Sequence, residues 1–95
     1  MKFSEIFTFL KENKIFLTVK TKMLKIFDKH KFELQDKTNT YIQEKSPAVK
    51  EKLINFIVKN IDLPIYIKPF KGLVKKTLDK NFDKLINFIL EQVNK

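Results

Sequence analysis

Apolar residues recur at helical spacing through the second half of the chain. Between Ser46 and Asn60 they follow one another at intervals of three and four residues, while lysine and other polar side chains fill the remaining positions. This stripe consists of Val49, Leu53, Phe56, Ile57 and Ile61. Ser46 before Pro47 is a helix-start signal, because the serine oxygen can accept from a backbone N–H and proline has no N–H to leave unpaired. We predict a helix from Pro47 to about Asn60.

A proline-containing connector follows this helix. The stretch from Ile61 to Phe70 reads IDLPIYIKPF, and its Pro64 and Pro69 disfavour helical backbone at the residues that precede them. We therefore predict an extended connector that covers the open end of the core with its apolar side chains. The next helix is expected to begin around Pro69.

The last part of the chain changes the direction of its apolar face. On one helical wheel, the apolar residues up to Leu78 and those from Phe82 onward centre on faces about a quarter turn apart. One straight helix cannot bury both faces against the same surface. We predict a break near Lys80 and Asn81, with Asn81 as a cap and Asp83 in the first turn of the following helix.

The first half of the chain gives a weaker pattern. Ser4–Glu12 predicts a short helix that ends near Asn13, and the spacing of apolar residues favours a helix over Lys14–Lys31. Lys31–Lys45 is ambiguous, because apolar and polar residues alternate at its start and Asp36–Thr40 has the composition of a turn. A small β-hairpin within residues 14–45 is the main alternative to helix.

These elements predict an all-α fold, a small bundle of about four to five helices in a single domain over residues 1–95. The alternative is an α+β fold with the hairpin within residues 14–45. A chain of 95 residues is too short to divide into two parts that each bury a sufficient core. With 43% apolar and 33% charged residues, the composition is that of a globular protein.

The hexapeptide KLINFI occurs twice, at 52–57 and at 84–89. Two copies of a single helix are too few for a solenoid, which needs about three or more stacked units. A composition rich in Lys, Ile, Phe and Asn makes coincidence easy, so we favour two independently similar helices over a duplicated unit. Both copies are predicted to be core scaffold, because their bulky apolar residues suit burial.

The formal charge of +9 comes entirely from lysine, since the chain contains no arginine. Arginine is the residue that binds guanine and phosphate in a bidentate manner, so its absence argues against sequence-specific nucleic-acid recognition. The preference for Lys, Ile, Phe and Asn is also typical of an AT-rich genome. No uncharged stretch is long enough to cross a bilayer, and the N-terminal sequence lacks the core of a signal peptide. We therefore expect a cytoplasmic protein.

Few residues are suited to catalysis or metal binding. The absence of cysteine excludes disulfides, thiolate metal sites and a cysteine nucleophile. The single histidine, His30, lies two positions from Asp28, and residues two apart on a helix do not face each other; we interpret it as a surface or boundary histidine. Gly72 is the only glycine, so no glycine-rich phosphate-binding loop can form. We predict no enzyme activity and no catalytic, cofactor-binding or metal-binding residues.

The best candidate for a binding surface is the segment from Leu63 to Leu78, which contains four lysines and no acid. Lys76, Lys80 and Lys84 also follow one another at helical spacing, where an anionic partner would relieve their mutual repulsion. The candidate partner-binding residues are Tyr66, Lys68, Phe70, Lys71, Lys75, Lys76, Lys80 and Lys84. The alternative is a solvated face that Asp79 and Asp83 partly neutralise. A second concentration of lysine lies between Lys20 and Lys31.

These features favour a small, non-enzymatic, basic helical protein that binds another protein as an accessory or regulatory factor, with lysines for steering and apolar side chains as anchors. The first alternative is a cationic amphipathic protein that acts at an anionic membrane surface. The second is nonspecific nucleic-acid binding through contacts between lysine and phosphate. The sequence gives no prediction about self-association.

Overall fold

The computed structural model describes residues 12–63, 65 and 68–93, and in this part of the chain the fold is all-α. Four α-helices and one short 3₁₀ turn at Lys68–Phe70 follow in order. The helices are α1 (Glu12–Glu44), α2 (Pro47–Asn60), α3 (Lys71–Lys80) and α4 (Phe82–Val93). The predicted helical bundle is confirmed, and the alternative with a β-hairpin within residues 14–45 is wrong.

The long helix α1 occupies the segment for which a hairpin was the alternative, and it bends at one residue. His30 has φ −127° and ψ 28°, outside the helical region, and it divides the 33 residues of α1 into two segments. A straight helix of this length would measure about 50 Å, which exceeds the longest dimension of the molecule, 42 Å. The sequence of α1 contains no proline or glycine. We therefore attribute the bend to tertiary packing, in which the His30 and Phe56 rings pack edge-to-face with 5.7 Å between their centres.

Burial explains why the turn-like sequence Asp36–Thr40 is helical. On the second segment of α1, Leu34 and Thr38 are buried at helical spacing and continue the buried stripe of the first segment. The Thr40 hydroxyl donates to the backbone carbonyl of Asp36 at 2.9 Å, so this side chain bonds within the helix and does not start a turn. Asn13 lies in the first turn of α1, and the rest of the predicted short helix Ser4–Glu12 lies outside the described residues.

Helix α2 begins and ends where the sequence predicted. The Ser46 side chain accepts from the backbone N–H of Ala48 at 3.2 Å, with Pro47 in the first turn. Lys45, just before this cap, has φ 48°, and its N–H donates to the carbonyl of Tyr41 at 2.6 Å, which closes the end of α1. After Asn60 the backbone becomes extended.

The predicted break at Asn81 separates α3 from α4. The backbone N–H and the side-chain amide of Asn81 both donate to the carbonyl of Thr77, at 3.1 and 2.9 Å. Asp83 lies in the first turn of α4, as predicted. The break allows both apolar faces to be buried, and these buried residues are Val74, Thr77 and Leu78 on α3, and Phe82, Leu85, Ile86 and Ile89 on α4.

The two KLINFI copies lie on two helices, α2 and α4, that both pack against α1. Helices α2 and α4 both pack against α1 but make no close backbone contact with each other. The corresponding side chains are buried in both copies, namely Leu53, Ile54 and Ile57 in the first and Leu85, Ile86 and Ile89 in the second. Each copy also places its phenylalanine beneath a lysine of α1, with Lys37 above Phe56 at 5.3 Å and Lys20 above Phe88 at 5.4 Å. The prediction that KLINFI is core scaffold is confirmed.

A buried hydroxyl in α1 lacks a hydrogen-bond partner among the described residues. Thr38 is only 1% exposed, and its Oγ1 has no acceptor or donor within reach. Replacing it with the similarly shaped valine should raise the free energy of unfolding by about 1 kcal/mol, because the desolvation cost of the hydroxyl disappears. Urea denaturation followed by circular dichroism measures this change.

Thr77→Val is the matched control, because Thr77 is also buried but its hydroxyl donates to the carbonyl of Leu73 at 2.9 Å. This second substitution should give no gain in stability. Equal losses of stability in Thr38→Val and Thr77→Val would show that the Thr38 hydroxyl is hydrogen-bonded in solution.

Candidate binding surface

Apolar and lysine side chains are exposed together where the connector meets α3. Ile65 is 81% exposed, and Phe70 and Leu73 are also exposed large apolar residues. Lys68 and Lys71 are exposed among them. We call this set, Ile65, Lys68, Phe70, Lys71 and Leu73, the α3 edge. The predicted site residue Tyr66 lies outside the described residues.

The connector carries apolar side chains both towards the core and towards solvent. Ile61 and Leu63 are buried, as the predicted core-covering connector requires. Ile65 and Phe70 are exposed, so for these two residues the prediction is wrong. Exposed apolar residues of this size next to one another are typical of contact surfaces when they are rimmed by charge.

An open groove is lined mainly by residues of α2 and α3, together with Tyr41 near the C-terminal end of α1 and Lys45. Its volume is about 630 Å³. Apolar atoms come from Tyr41, Pro47 and Ile54, and four lysines line the groove: Lys45, Lys50, Lys75 and Lys76. Glu51, Asn55 and Asp79 complete the lining. The lining of the groove thus combines apolar residues with an excess of positive charge.

One wall of the groove is held by contacts that join all four helices. Lys50 of α2 donates to the Asp79 carboxylate of α3 at 2.9 Å. The same Nζ lies 5.1 Å from the centre of the Phe82 ring at the start of α4. Phe82 in turn packs edge-to-face against Tyr41 of α1, with 4.6 Å between ring centres. Lys50 is therefore a positioned cation, whereas Lys45, Lys75 and Lys76 form no ion pair with a carboxylate of the described residues.

The break at Asn81 divides the predicted line of lysines. Lys76 and Lys80 belong to α3, and Lys84 belongs to α4. Lys76 lines the groove, whereas Lys80 and Lys84 are exposed and do not line it. Asp79, which was considered as a neutralising neighbour of this line, pairs with Lys50 of α2.

The second concentration of lysine surrounds the bend of α1. Here Lys22, Lys25 and Lys29 line a cavity of about 450 Å³ together with His30 and Asn60. The carboxylates of Asp28 and Asp62 line the same cavity and offset much of the positive charge. His30 lies at the boundary of the core, where its Nδ1 is 3.4 Å from Glu33 Oε1, so the interpretation as a boundary histidine is confirmed.

Over residues 12–63, 65 and 68–93, no group of three or more His, Asp or Glu side chains is arranged to hold a metal ion. Within the same ranges no helix combines the length and the apolar content needed to cross a bilayer. Comparisons with protein-family models, with curated proteins and with solved structures gave no match.

Sequence reasoning located part of this surface and missed the rest. Lys75 and Lys76 were found because their segment contains no acid. Tyr41, Lys45 and Lys50 were missed, because they lie far from α3 in sequence and only the packing of α1 and α2 against α3 brings them to the groove. The excess of lysine over acidic residues around residue 45 was too small to indicate a binding surface there.

Proposed function

We propose that the protein is a non-enzymatic binding protein that docks on an acidic surface of another protein through the α3 edge. The observation that carries this proposal is the exposure of Ile65, Phe70 and Leu73 close in sequence to Lys68 and Lys71, in a segment without any acid. Apolar anchors surrounded by charge provide affinity, and the lysines steer an acidic partner towards the surface.

A protein partner is favoured over a flat lipid surface because helix α3 contributes residues both to the α3 edge and to the lining of a groove. A concave site of about 630 Å³ can receive side chains that project from a partner, whereas a lipid surface has no such projections. The exposed phenylalanine and isoleucine supply the kind of anchors that dominate the affinity of protein interfaces.

Docking at an anionic membrane surface is the second candidate. Ile65, with 81% of its surface exposed, and Phe70 stand beside Lys68 and Lys71. Apolar side chains that enter the headgroup region next to lysines are typical of peripheral membrane binding. Nonspecific nucleic-acid binding through lysine and phosphate has no comparable local observation in its favour.

The cysteine-free sequence permits a site-specific crosslinking experiment. A Cβ at Gly72 would meet no atom within 4 Å, so a Gly72→Cys variant can carry a benzophenone label beside the α3 edge without disturbing the fold. Irradiation in a cell lysate should give one defined adduct. Mass spectrometry should map the crosslink to a segment of the partner that is rich in Asp and Glu.

Two matched triple variants make the crosslinking result specific. Lys68→Glu/Phe70→Ser/Lys71→Glu changes the α3 edge, and we expect it to lower the adduct yield at least about tenfold. Lys25→Glu/Lys29→Glu/Phe32→Ser makes the same changes on α1, where Phe32 is 83% exposed. This control should keep the yield within about twofold.

Three outcomes would contradict the proposal. Equal losses of adduct in both triple variants would show that only net charge matters. Sedimentation with anionic vesicles that survives about 1 M salt, and that is lost in the α3-edge variant, would favour the membrane surface. Binding to duplex DNA that vanishes with salt, without a protein adduct, would favour nucleic acid.

A further inference from the structure

The groove between α2 and α3 has the size and lining of a ligand site. Its volume of about 630 Å³ falls within the range of about 300–1,000 Å³ that is usual for small-ligand pockets. The apolar part of the lining comes from Tyr41, Pro47 and Ile54, and both α2 and α3 contribute lysines to it. A peptide of a few residues with an apolar side chain between carboxylates would match this arrangement.

The net positive charge of the groove lining favours the binding of an anion. Four lysines face two carboxylates across the lining, and Lys45, Lys75 and Lys76 make no ion pair within the described chain. Lysine presents a compact charge on a flexible stem, so these three side chains can converge on ligand carboxylates of varied geometry. A neutral ligand would leave this concentration of positive charge without a counter-charge.

The protein itself shows how a carboxylate is held in this groove. Asp79 receives a hydrogen bond from Lys50 at 2.9 Å while its side chain stays 61% exposed. Lys50 is also fixed above the Phe82 ring at 5.1 Å. A ligand carboxylate entering the groove meets this prepositioned ammonium group with Asp79 already bound to it.

We propose that the groove binds a carboxylate-rich peptide segment, and that Asp79 occupies the position that one ligand carboxylate takes at Lys50. Asp79 therefore acts as an internal competitor that weakens binding. This inference rests on the proposed function, since the segment belongs to the acidic partner that docks at the α3 edge. The inference concerns residues of the groove, whereas the proposed function concerns residues of the α3 edge. An experiment can therefore refute one and leave the other standing.

The test uses the full chain and a synthetic peptide in which leucine is flanked by glutamates, labelled for fluorescence anisotropy. Removing the competing charge with Asp79→Asn should strengthen peptide binding about threefold, the size expected for one partly screened charge pair. Asp28→Asn is the matched control, because it removes the same charge from the exposed surface at the bend of α1. We expect it to leave the affinity unchanged.

Two further measurements place the peptide in the groove. Lys75→Glu/Lys76→Glu should weaken binding at least about tenfold. The chain contains two tyrosines, so in a Tyr66→Phe background Tyr41 is the only one left, and its fluorescence should change when the peptide binds. Circular dichroism of each variant checks that the helical fold is retained.

An equal gain in Asp28→Asn and Asp79→Asn, or an unchanged Tyr41 signal, would overturn the inference. Displacement of the peptide by inorganic pyrophosphate at a lower concentration than by free glutamate peptide would assign the groove to phosphate ligands instead. The α3-edge variant Lys68→Glu/Phe70→Ser/Lys71→Glu should still bind the peptide. Peptide binding without a crosslinked partner would therefore refute the proposed function and leave the groove site standing.

Discussion

Replacing Asn39 with proline should lower the free energy of unfolding by about 3 kcal/mol or more. Asn39 lies in the second segment of α1, five residues before the end of the helix, and its side chain is exposed. Proline there removes a backbone hydrogen bond and clashes with the carbonyl of the preceding turn. Urea denaturation followed by circular dichroism measures the loss, and a variant that is unfolded without urea would also agree with it.

Asn39→Ala is the control, because it keeps the backbone N–H and suits a helix better than asparagine. It should leave the stability unchanged or raise it slightly. If Asn39→Pro were as stable as the parent chain, residues 36–40 would form a turn in solution and the hairpin alternative would return.

Leu53→Ala and Leu85→Ala should each lower the free energy of unfolding by about 2–5 kcal/mol, and by similar amounts. These leucines hold the same position in the two KLINFI copies, and both are 0% exposed. Truncation removes buried apolar surface and leaves a cavity that the neighbouring helices fill only partly. Because small domains are stable by only about 5–15 kcal/mol, either change is a large fraction of the total.

Asn55→Ala and Asn87→Ala are the matched controls, since both asparagines are exposed at the centre of the same hexapeptides. They should change the stability by less than about 0.5 kcal/mol. A cost for Leu53→Ala that differs from that of Leu85→Ala by more than about 2 kcal/mol would mean that α2 and α4 are not equivalent in their packing on α1.

The second half of the fold could be predicted because its signals are local. Ser46 and Pro47 mark a helix start through their own side chains, and the rotation of the apolar face around Asn81 requires a break wherever the neighbours lie. Neither inference needs knowledge of distant residues.

The first half could not be predicted in the same way, because tertiary contacts decide it. Asp36 to Thr40 has the composition of a turn, but Thr38 is buried and Leu34 continues the buried stripe. Burial against the rest of the bundle outweighs the weak local preference for a turn. The bend at His30 has the same origin, since its contact with Phe56 joins residues far apart in the chain.

The residues of the candidate site also differ in how far the sequence could predict them. The α3 edge and Lys75 and Lys76 were found because one short segment supplies them. Lys45 and Lys50 come from another part of the chain, and their place in the groove depends on how α2 lies against α3. Sequence patterns report on residues that are close together along the chain. The lining of a groove depends instead on how two helices are positioned relative to each other.

The position of α1 at the centre of the helix contacts should make unfolding of the protein cooperative. Each of the other helices packs against α1, while α2 and α4 make no close backbone contact with each other. Detaching either of them would uncover apolar side chains on α1 and leave the detached helix alone in water, where short isolated helices are marginal. Partly folded forms should therefore be scarce at equilibrium, and the four helices should melt in one cooperative transition.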